Sequence, residues 1–116
     1  MLIPGGLRVY LGLGHTDMRK AIDGLSILVE QQLAYDPFSG HLFAFSNRRR
    51  SMVKILYWDR NGFCLWQKRL EKDRFRWPKS HCGSLEIEQR ELQWLLDGLD
   101  ITQRLAHDRL AYSRVF

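Results

Sequence analysis

The segment SMVKILYWDRNGFCLWQKR, Ser51 to Arg69, decides the fold because it contains two strand-like runs separated by a tight-turn signal. Met52–Trp58 and Phe63–Leu70 are rich in branched and aromatic residues, which favour strands. Asn61 and Gly62 between them tolerate the positive φ angles of a type I′ turn. The segment therefore predicts an antiparallel hairpin.

The turn also predicts which residues face each other across the hairpin. With Asn61 and Gly62 as the turn residues, the opposing pairs are Arg60 and Phe63, Trp58 and Leu65, Leu56 and Gln67, and Lys54 and Arg69. The other face carries Val53, Ile55, Tyr57, Cys64 and Trp66 and is the expected core face. Because opposed like charges destabilise a sheet, Lys54 facing Arg69 favours a compensating anion, either Glu71 or a bound phosphate.

The chain before the hairpin predicts a strand, a helix and a further strand. LRVYLGLG, Leu7 to Gly14, is short, branched and flanked by glycines, as strands are. A helix follows with Thr16 as its N-cap and Asp17 in its first turn. Its apolar face contains Met18, Ile22, Leu25, Val29 and Leu33. Asp36–Gly40 has turn composition and precedes a strand at His41–Phe45.

The chain after the hairpin predicts a second helix. Pro78 and Gly83 mark a break, and Ser84 is a candidate N-cap. A helix of roughly ten residues then presents an apolar stripe of Leu92, Leu95, Leu96 and Leu99. The expected fold is α+β, a mostly antiparallel sheet of about four strands in strand, helix, meander order, packed by an N-terminal and a C-terminal helix. We expect one domain over residues 1–101 and a tail of uncertain structure over residues 102–116.

The composition is that of an ordinary globular protein of one domain. The 116 residues are 45% hydrophobic and 27% charged. No apolar run approaches the roughly 20 residues of a membrane span, and the N-terminus lacks the pattern of a signal peptide, so we expect a cytoplasmic protein with no membrane partner. Cys64 and Cys82 are too few and too far apart for a disulfide framework and are expected to be reduced, Cys64 in a strand.

Positive charge is concentrated in one part of the chain. The formal net charge is +5, yet Ser46–Ser80 contains 11 basic and three acidic residues, a balance of +8. The remaining residues have a balance of −3. Such a segment is typical of a surface that binds a polyanion.

The predicted hairpin gathers many of these cations at one end of the sheet, where the run Arg48, Arg49 and Arg50 also lies. Phe75, Trp77, Trp58 and Tyr57 alternate with Lys and Arg, a mixture that nucleic acids engage by stacking and backbone contact. The alternative is a solvated loop beside core aromatic rings. The candidate nucleic-acid-binding residues are Arg48, Arg49, Arg50, Lys54, Lys68, Arg69, Lys72, Arg74, Arg76 and Trp77.

Other chemistry has little support. GLGHTD has Asp17 where the third glycine of a dinucleotide loop belongs, and a carboxylate there repels a pyrophosphate. The histidines at positions 15, 41, 81 and 107 lack ligand spacing, so no metal site is expected. Asp17, Asp23, Asp36 and Asp59 supply carboxylates for a two-metal nuclease, but nothing in their spacing requires one. We expect no catalytic residues and no cofactor.

Several long segments of the sequence are similar to those of one known protein family. VYLGLGHTDMRKAIDGL, DPFSGHLFAF, NRRRSMVKILYWDRNGFCLWQKRLEKDRFRWP and LQWLLDGLDI resemble the TnpB, or Orf2-like, accessory proteins of bacterial insertion sequences of the IS66 type. The resemblance covers about Leu7 to Ile101. It implies a small protein needed for transposition and encoded beside a separate, larger transposase, with no agreed catalytic residues.

Two functions follow as hypotheses. In the first, a non-enzymatic accessory protein of transposition binds the DNA of transposon ends through the basic hairpin end. In the second, the arginines and the leucine stripe dock the transposase, or a second copy of this chain, without touching DNA. A metal-dependent nuclease is a third class, which we do not expect.

Overall fold

The computed structural model describes residues 6–80 and 82–101, which form a mixed five-stranded sheet and two helices. The sheet order is β4-β3-β2-β1-β5, with β1 parallel to β2 and the other three pairings antiparallel. The strands are β1 (Val9–Gly12), β2 (Leu42–Ser46), β3 (Met52–Asp59), β4 (Gly62–Arg69) and β5 (Ser84–Ile87). The helices are α1 (Ile22–Gln31) and α2 (Gln89–Leu96).

The predicted α+β class, the hairpin and both helices are confirmed, while the sheet differs in two respects. Because α1 connects the parallel strands β1 and β2, the sheet contains one crossover unit that the sequence did not indicate. Ser84 begins a fifth strand, β5, that pairs with β1, so its predicted role as a helix cap is wrong. The predicted tail, residues 102–116, lies outside the described residues.

Both faces of the sheet are buried, and the side chains of each strand alternate between them. On one face Phe43, Phe45 and Leu56 pack against Leu25 and Val29 of α1. The other face packs against α2 and the segment after β4, through Val9, Leu11, Leu42, Ala44, Val53, Ile55, Phe75, Trp77, Ile87, Leu92, Leu95, Leu96 and Ile101. The predicted core face of the hairpin is therefore confirmed, but it is one of two.

The hairpin register differs from the predicted one by two residues. Arg60 and Asn61 form the turn, Arg60 has a φ of 55°, and Gly62 pairs with Asp59 as part of β4. The observed opposing pairs include Trp58 and Phe63, Leu56 and Leu65, Ile55 and Trp66, Lys54 and Gln67, and Met52 and Arg69. This register opposes apolar side chains to each other and avoids the like-charge contact of Lys54 with Arg69, so that predicted contact is wrong.

Both helices begin later than predicted. Ala21 is the N-cap of α1, because residues 16–20 form a separate loop in which the main-chain N–H of Thr16 donates to the Ser46 carbonyl at 2.9 Å. Glu88 caps α2 through a reciprocal capping box with Glu91. The helix ends at Leu96, so Leu99 lies beyond it and is 53% exposed.

The described residues include no helix that combines the length and apolarity of a membrane crossing. Cys64 lies half-buried in β4, and Cys82 is exposed in the loop before β5; both are free thiols.

Candidate nucleic-acid interface

Three connections of the chain, β1–α1, β2–β3 and β4–β5, meet at the end of the sheet where β2 ends and β3 begins. The β1–α1 loop joins here because β1 runs parallel to β2. The chain after β4 joins through Leu70 N–H, which donates to Ser51 O at 2.8 Å, and Phe75 N–H, which donates to Arg50 O at 2.7 Å. The chain before β5 joins where Leu13 N–H donates to Gly83 O at 3.0 Å. We call this end of the sheet the basic end. Its exposed cations are Lys20, Arg48, Arg49, Lys72, Arg74, Arg76 and Lys79.

The segment after β4 forms a strap, residues 70–77, whose last residues alternate between core and solvent. Phe75 is 2% exposed and Trp77 is 7% exposed, whereas Arg74 and Arg76 face the solvent. The indole Nε1 of Trp77 donates to the Gly12 carbonyl at 2.9 Å. The two buried rings therefore anchor the strap and hold its arginines outward.

The three consecutive arginines occupy two different environments. Arg48 and Arg49 are exposed in the turn between β2 and β3. Arg50 has a φ of 60° and turns inward, where its guanidinium donates to the carbonyls of Leu13 and Gly14, each at 3.2 Å. The guanidinium also lies 5.8 Å from the centre of the Trp77 ring. Burial lowers the pKa of Arg50 from its usual value, but a guanidinium remains charged in proteins.

Two lysines are also bound by main-chain carbonyls. Lys54, only 8% exposed, donates through Nζ to Met18 O at 2.8 Å and to Lys20 O at 2.9 Å, which fixes the loop before α1. Lys68 donates to Leu96 O at 2.9 Å, at the C-terminus of α2, where a cation is favoured. We call Arg50, Lys54 and Lys68 the inner cations. No carboxylate neutralises them among the described residues, so their charge adds to that of the basic end.

Acidic side chains neutralise little of this surface. Arg19 pairs with Asp17 at 2.7 Å, and Arg69 pairs with Glu71 at 3.1 Å. Within the described ranges, none of the seven cations of the basic end has a carboxylate at ion-pair distance. A groove of about 750 Å³ lies between the strap and the end of α2, and contains Lys68, Lys72, Arg74 and Arg76 together with Asp73 and Asp97.

The profile of the IS66 Orf2-like proteins matches residues 7–106 of this chain, which is most of its length. The chain belongs to the IS66 Orf2-like family. Membership makes it an accessory protein of an insertion sequence, and it confirms the family resemblance found in the sequence.

Two proteins of Sinorhizobium fredii (strain NBRC 101917 / NGR234) are similar to this IS66 Orf2-like protein. One, named "Uncharacterized protein y4hO", is 39% identical over 101 residues, which are 85% of this chain and 88% of the relative. The other, "Uncharacterized protein y4jC", is 35% identical over 98 residues, 84% of each chain. No solved structure matches this chain.

The IS66 Orf2-like structure places the ten predicted site residues in three environments. The exposed residues of the basic end are Arg48, Arg49, Lys72, Arg74 and Arg76, and Arg69 is exposed but paired with Glu71. Arg50, Lys54 and Lys68 bind carbonyls, and Trp77 is buried, so we leave these four out of the contact surface proposed below. Two residues of the basic end, Lys20 and Lys79, were not predicted from the sequence. The β1–α1 loop brings Lys20 to this end, and the bond between Leu13 and Gly83 brings the chain that contains Lys79.

A further aromatic cluster, in which Phe38 is exposed and Trp58 and Phe63 are half-buried, lies at the opposite end of the sheet. Phe38, Trp58 and Phe63 form a cluster with ring centroids 5.0 to 5.2 Å apart beside the β3–β4 turn. Asp36 and Asp59 lie at that end as well, whereas Asp17 lies at the basic end. The carboxylates considered for a two-metal site therefore do not converge, and no group of three metal-ligating side chains occurs among the described residues.

Asp17 of the basic end offers a direct check on this geometry. Hydrogen bonds from the Arg19 guanidinium and from the Arg19 main-chain N–H lower the pKa of Asp17 from 3.8 to about 2. Because the folded pKa is depressed, the contact stabilises the fold above about pH 4 and is lost as the pH falls towards 2. Carbon-13 NMR should show Asp17 titrating near 2, and Arg19→Ala should raise that midpoint towards 3.8. Equal midpoints in both proteins would contradict the contact.

Proposed function

We propose that this IS66 Orf2-like protein is a non-enzymatic accessory protein of transposition that binds the phosphate backbone of transposon-end DNA with its basic end. The observation that carries the proposal is the convergence of seven exposed cations from three chain segments, without carboxylate partners among the described residues. Clustered cations that the protein does not neutralise attract a polyanion and gain affinity by releasing its counterions.

The inner cations support phosphate binding over a solvated loop. An arginine run in a flexible loop loses side-chain entropy when it binds, whereas this surface rests on fixed supports. Arg50 and Lys54 fix the β1–α1 loop from beneath, and Phe75 and Trp77 fix the strap. The main chain that carries the exposed cations is thus pre-positioned along one end of the sheet, which reduces the ordering cost of binding.

The chemistry of the surface favours backbone contact over base reading. Trp77 and Phe75 are buried, and the other aromatic cluster lies at the opposite end of the sheet, so no exposed ring of the described chain stands among these cations. Lys and Arg contacts to phosphates position a protein on DNA without reading its sequence. In this proposal, sequence recognition at the transposon ends is left to the transposase.

A salt-titrated binding assay tests the proposal. We expect the full-length protein to bind transposon-end and scrambled duplexes with similar affinity, which falls steeply with salt. Binding that ignores salt, or no binding at any salt concentration, would overturn it. Co-purification with the transposase that survives nuclease treatment, combined with no DNA binding by the protein alone, would establish the second function, in which the same cations dock an acidic face of the transposase.

A further inference from the structure

We propose that β4 pairs with β4 of a second copy of this chain, which makes the protein a symmetric dimer. β4 is the last strand of the sheet in the described structure, so its outer main-chain groups have no strand partner there. A free sheet edge is a template for another strand. The proposal is independent of DNA binding, because it concerns a different side of the molecule.

The two edges of the sheet differ in how well they are protected. Natural sheets discourage pairing at their edges with short strands and charged side chains. β5 follows this rule, since it has four residues and includes the exposed Glu86, which pairs with Arg8 at 3.4 Å. β4 has eight residues, and its first five, Gly62–Trp66, are uncharged and half-buried. Only the later part of the strand carries the charges of Lys68 and Arg69.

A second copy fits this edge better than another partner because the uncharged run is complementary to itself. A two-fold axis perpendicular to the sheet sets one residue of β4 opposite the same residue of the second copy. With the axis at Cys64, the centre of the run, Phe63 lies opposite Leu65 and Gly62 lies opposite Trp66. Each uncharged residue then meets an uncharged one, and Trp66 covers the glycine that has no side chain.

The charge distribution also favours this antiparallel arrangement. Each copy has its basic end at the C-terminal end of β4, so an antiparallel pair separates the two basic ends, whereas a parallel pair brings them together. The hairpin-tip end of each copy carries Asp36 and Asp59, exposed and without an ion-pair partner among the described residues, together with the exposed Arg60. Pairing at Cys64 places that end beside the basic end of the second copy. Arg60 lies opposite Lys68 of the second copy in this register, and the bond of Lys68 to Leu96 O turns that lysine towards α2 and away from the contact.

Cys64 allows a direct test in the full-length chain. Opposed residues of an antiparallel pair have Cα atoms about 4.5 to 5.5 Å apart, within the range that a disulfide spans. We expect a mild thiol oxidant to cross-link the Cys82→Ser variant into a covalent dimer and to leave Cys64→Ser monomeric under denaturing conditions. Sedimentation of the reduced protein should show a dimer that dissociates on dilution. A monomer at all concentrations, or no Cys64 cross-link, would overturn the proposal.

A matched pair of lysine substitutions separates this interface from any other. Cys64→Lys places a charge inside the uncharged run, and Gln67→Lys places the same charge outside it on the exposed part of β4. We expect Cys64→Lys to weaken dimerisation by about tenfold or more, and Gln67→Lys to change it little. Circular dichroism of both variants should match that of the unchanged protein. A dimer equally stable in both variants would contradict the proposal. Slow amide exchange at Phe63 and Leu65 in a monomer would also contradict it, because the edge would then be covered by the same chain.

Discussion

Replacing Arg50 by alanine is expected to lower the free energy of unfolding by about 2 to 4 kcal/mol, whereas the same change at Arg49 should alter it by no more than about 0.5 kcal/mol. Arg50 donates charged hydrogen bonds to Leu13 O and Gly14 O, and its own carbonyl accepts from Phe75. Without the guanidinium, the carbonyls of Leu13 and Gly14 lose these hydrogen bonds, and the β1–α1 loop loses one of its links to the β2–β3 turn. Urea unfolding followed by Trp fluorescence measures the difference.

Two further substitutions at position 50 identify the cause. Arg50→Gly removes the guanidinium but accepts the φ of 60° more easily than alanine, so it should be slightly less destabilised than Arg50→Ala. Arg50→Lys keeps the charge but cannot donate to both carbonyls in the same fork geometry, so it should recover only part of the stability. If Arg49→Ala destabilises the protein as much as Arg50→Ala does, the inward role of Arg50 is wrong.

The second large effect is expected on DNA affinity. Changing Arg48, Arg49 and Arg74 together to alanine should weaken DNA binding by about a hundredfold near 0.1 M salt. It should also reduce the slope of log affinity against log salt by about 2.7 units, because each lost phosphate contact to a duplex contributes about 0.9. Since all three side chains are exposed, unfolding should be nearly unchanged.

The chain offers a matched control for that variant. Arg8, Arg60 and Arg90 are also exposed, and their removal changes the net charge by the same amount, although Arg8 and Arg90 pair with Glu86 and Glu88. They lie at the opposite end of the sheet, before β1, in the β3–β4 turn and at the start of α2. Their replacement by alanine should reduce the affinity much less. Equal losses in the two triple variants would mean that net charge alone, and not the basic end, determines binding.

The hairpin shows what the sequence predicts well. Its alternation predicted which side chains share a face, and the two-residue shift in register preserved those faces because the side-chain period is two. The same shift changed every opposing pair, so the predicted contact of Lys54 with Arg69 was wrong. The composition of the turn predicted its position only to within about two residues. The observed register sets Leu56 opposite Leu65 and Ile55 opposite Trp66.

The distinction between inner and exposed cations could not be predicted from the sequence. Arg48, Arg49 and Arg50 are adjacent and chemically identical, yet only Arg50 reaches the carbonyls of the β1–α1 loop. That loop lies beside Arg50 because β1 pairs with β2 in parallel, a contact between residues more than 30 positions apart. The local sequence pattern predicted that the cations gather at one end of the sheet. Which of them are inner cations and which are exposed depends on tertiary contacts.

The most direct test of the central claim, that DNA binds at the basic end, is to map where DNA contacts the protein. Amide NMR spectra of the full-length chain, titrated with a short duplex, should show the largest shifts at Lys20, Arg48 and Arg49 and along residues 72–79. The amides near Phe38, Trp58 and Phe63, at the other end of the sheet, should change little. Shifts concentrated at that aromatic end, with the basic end unaffected, would contradict the account.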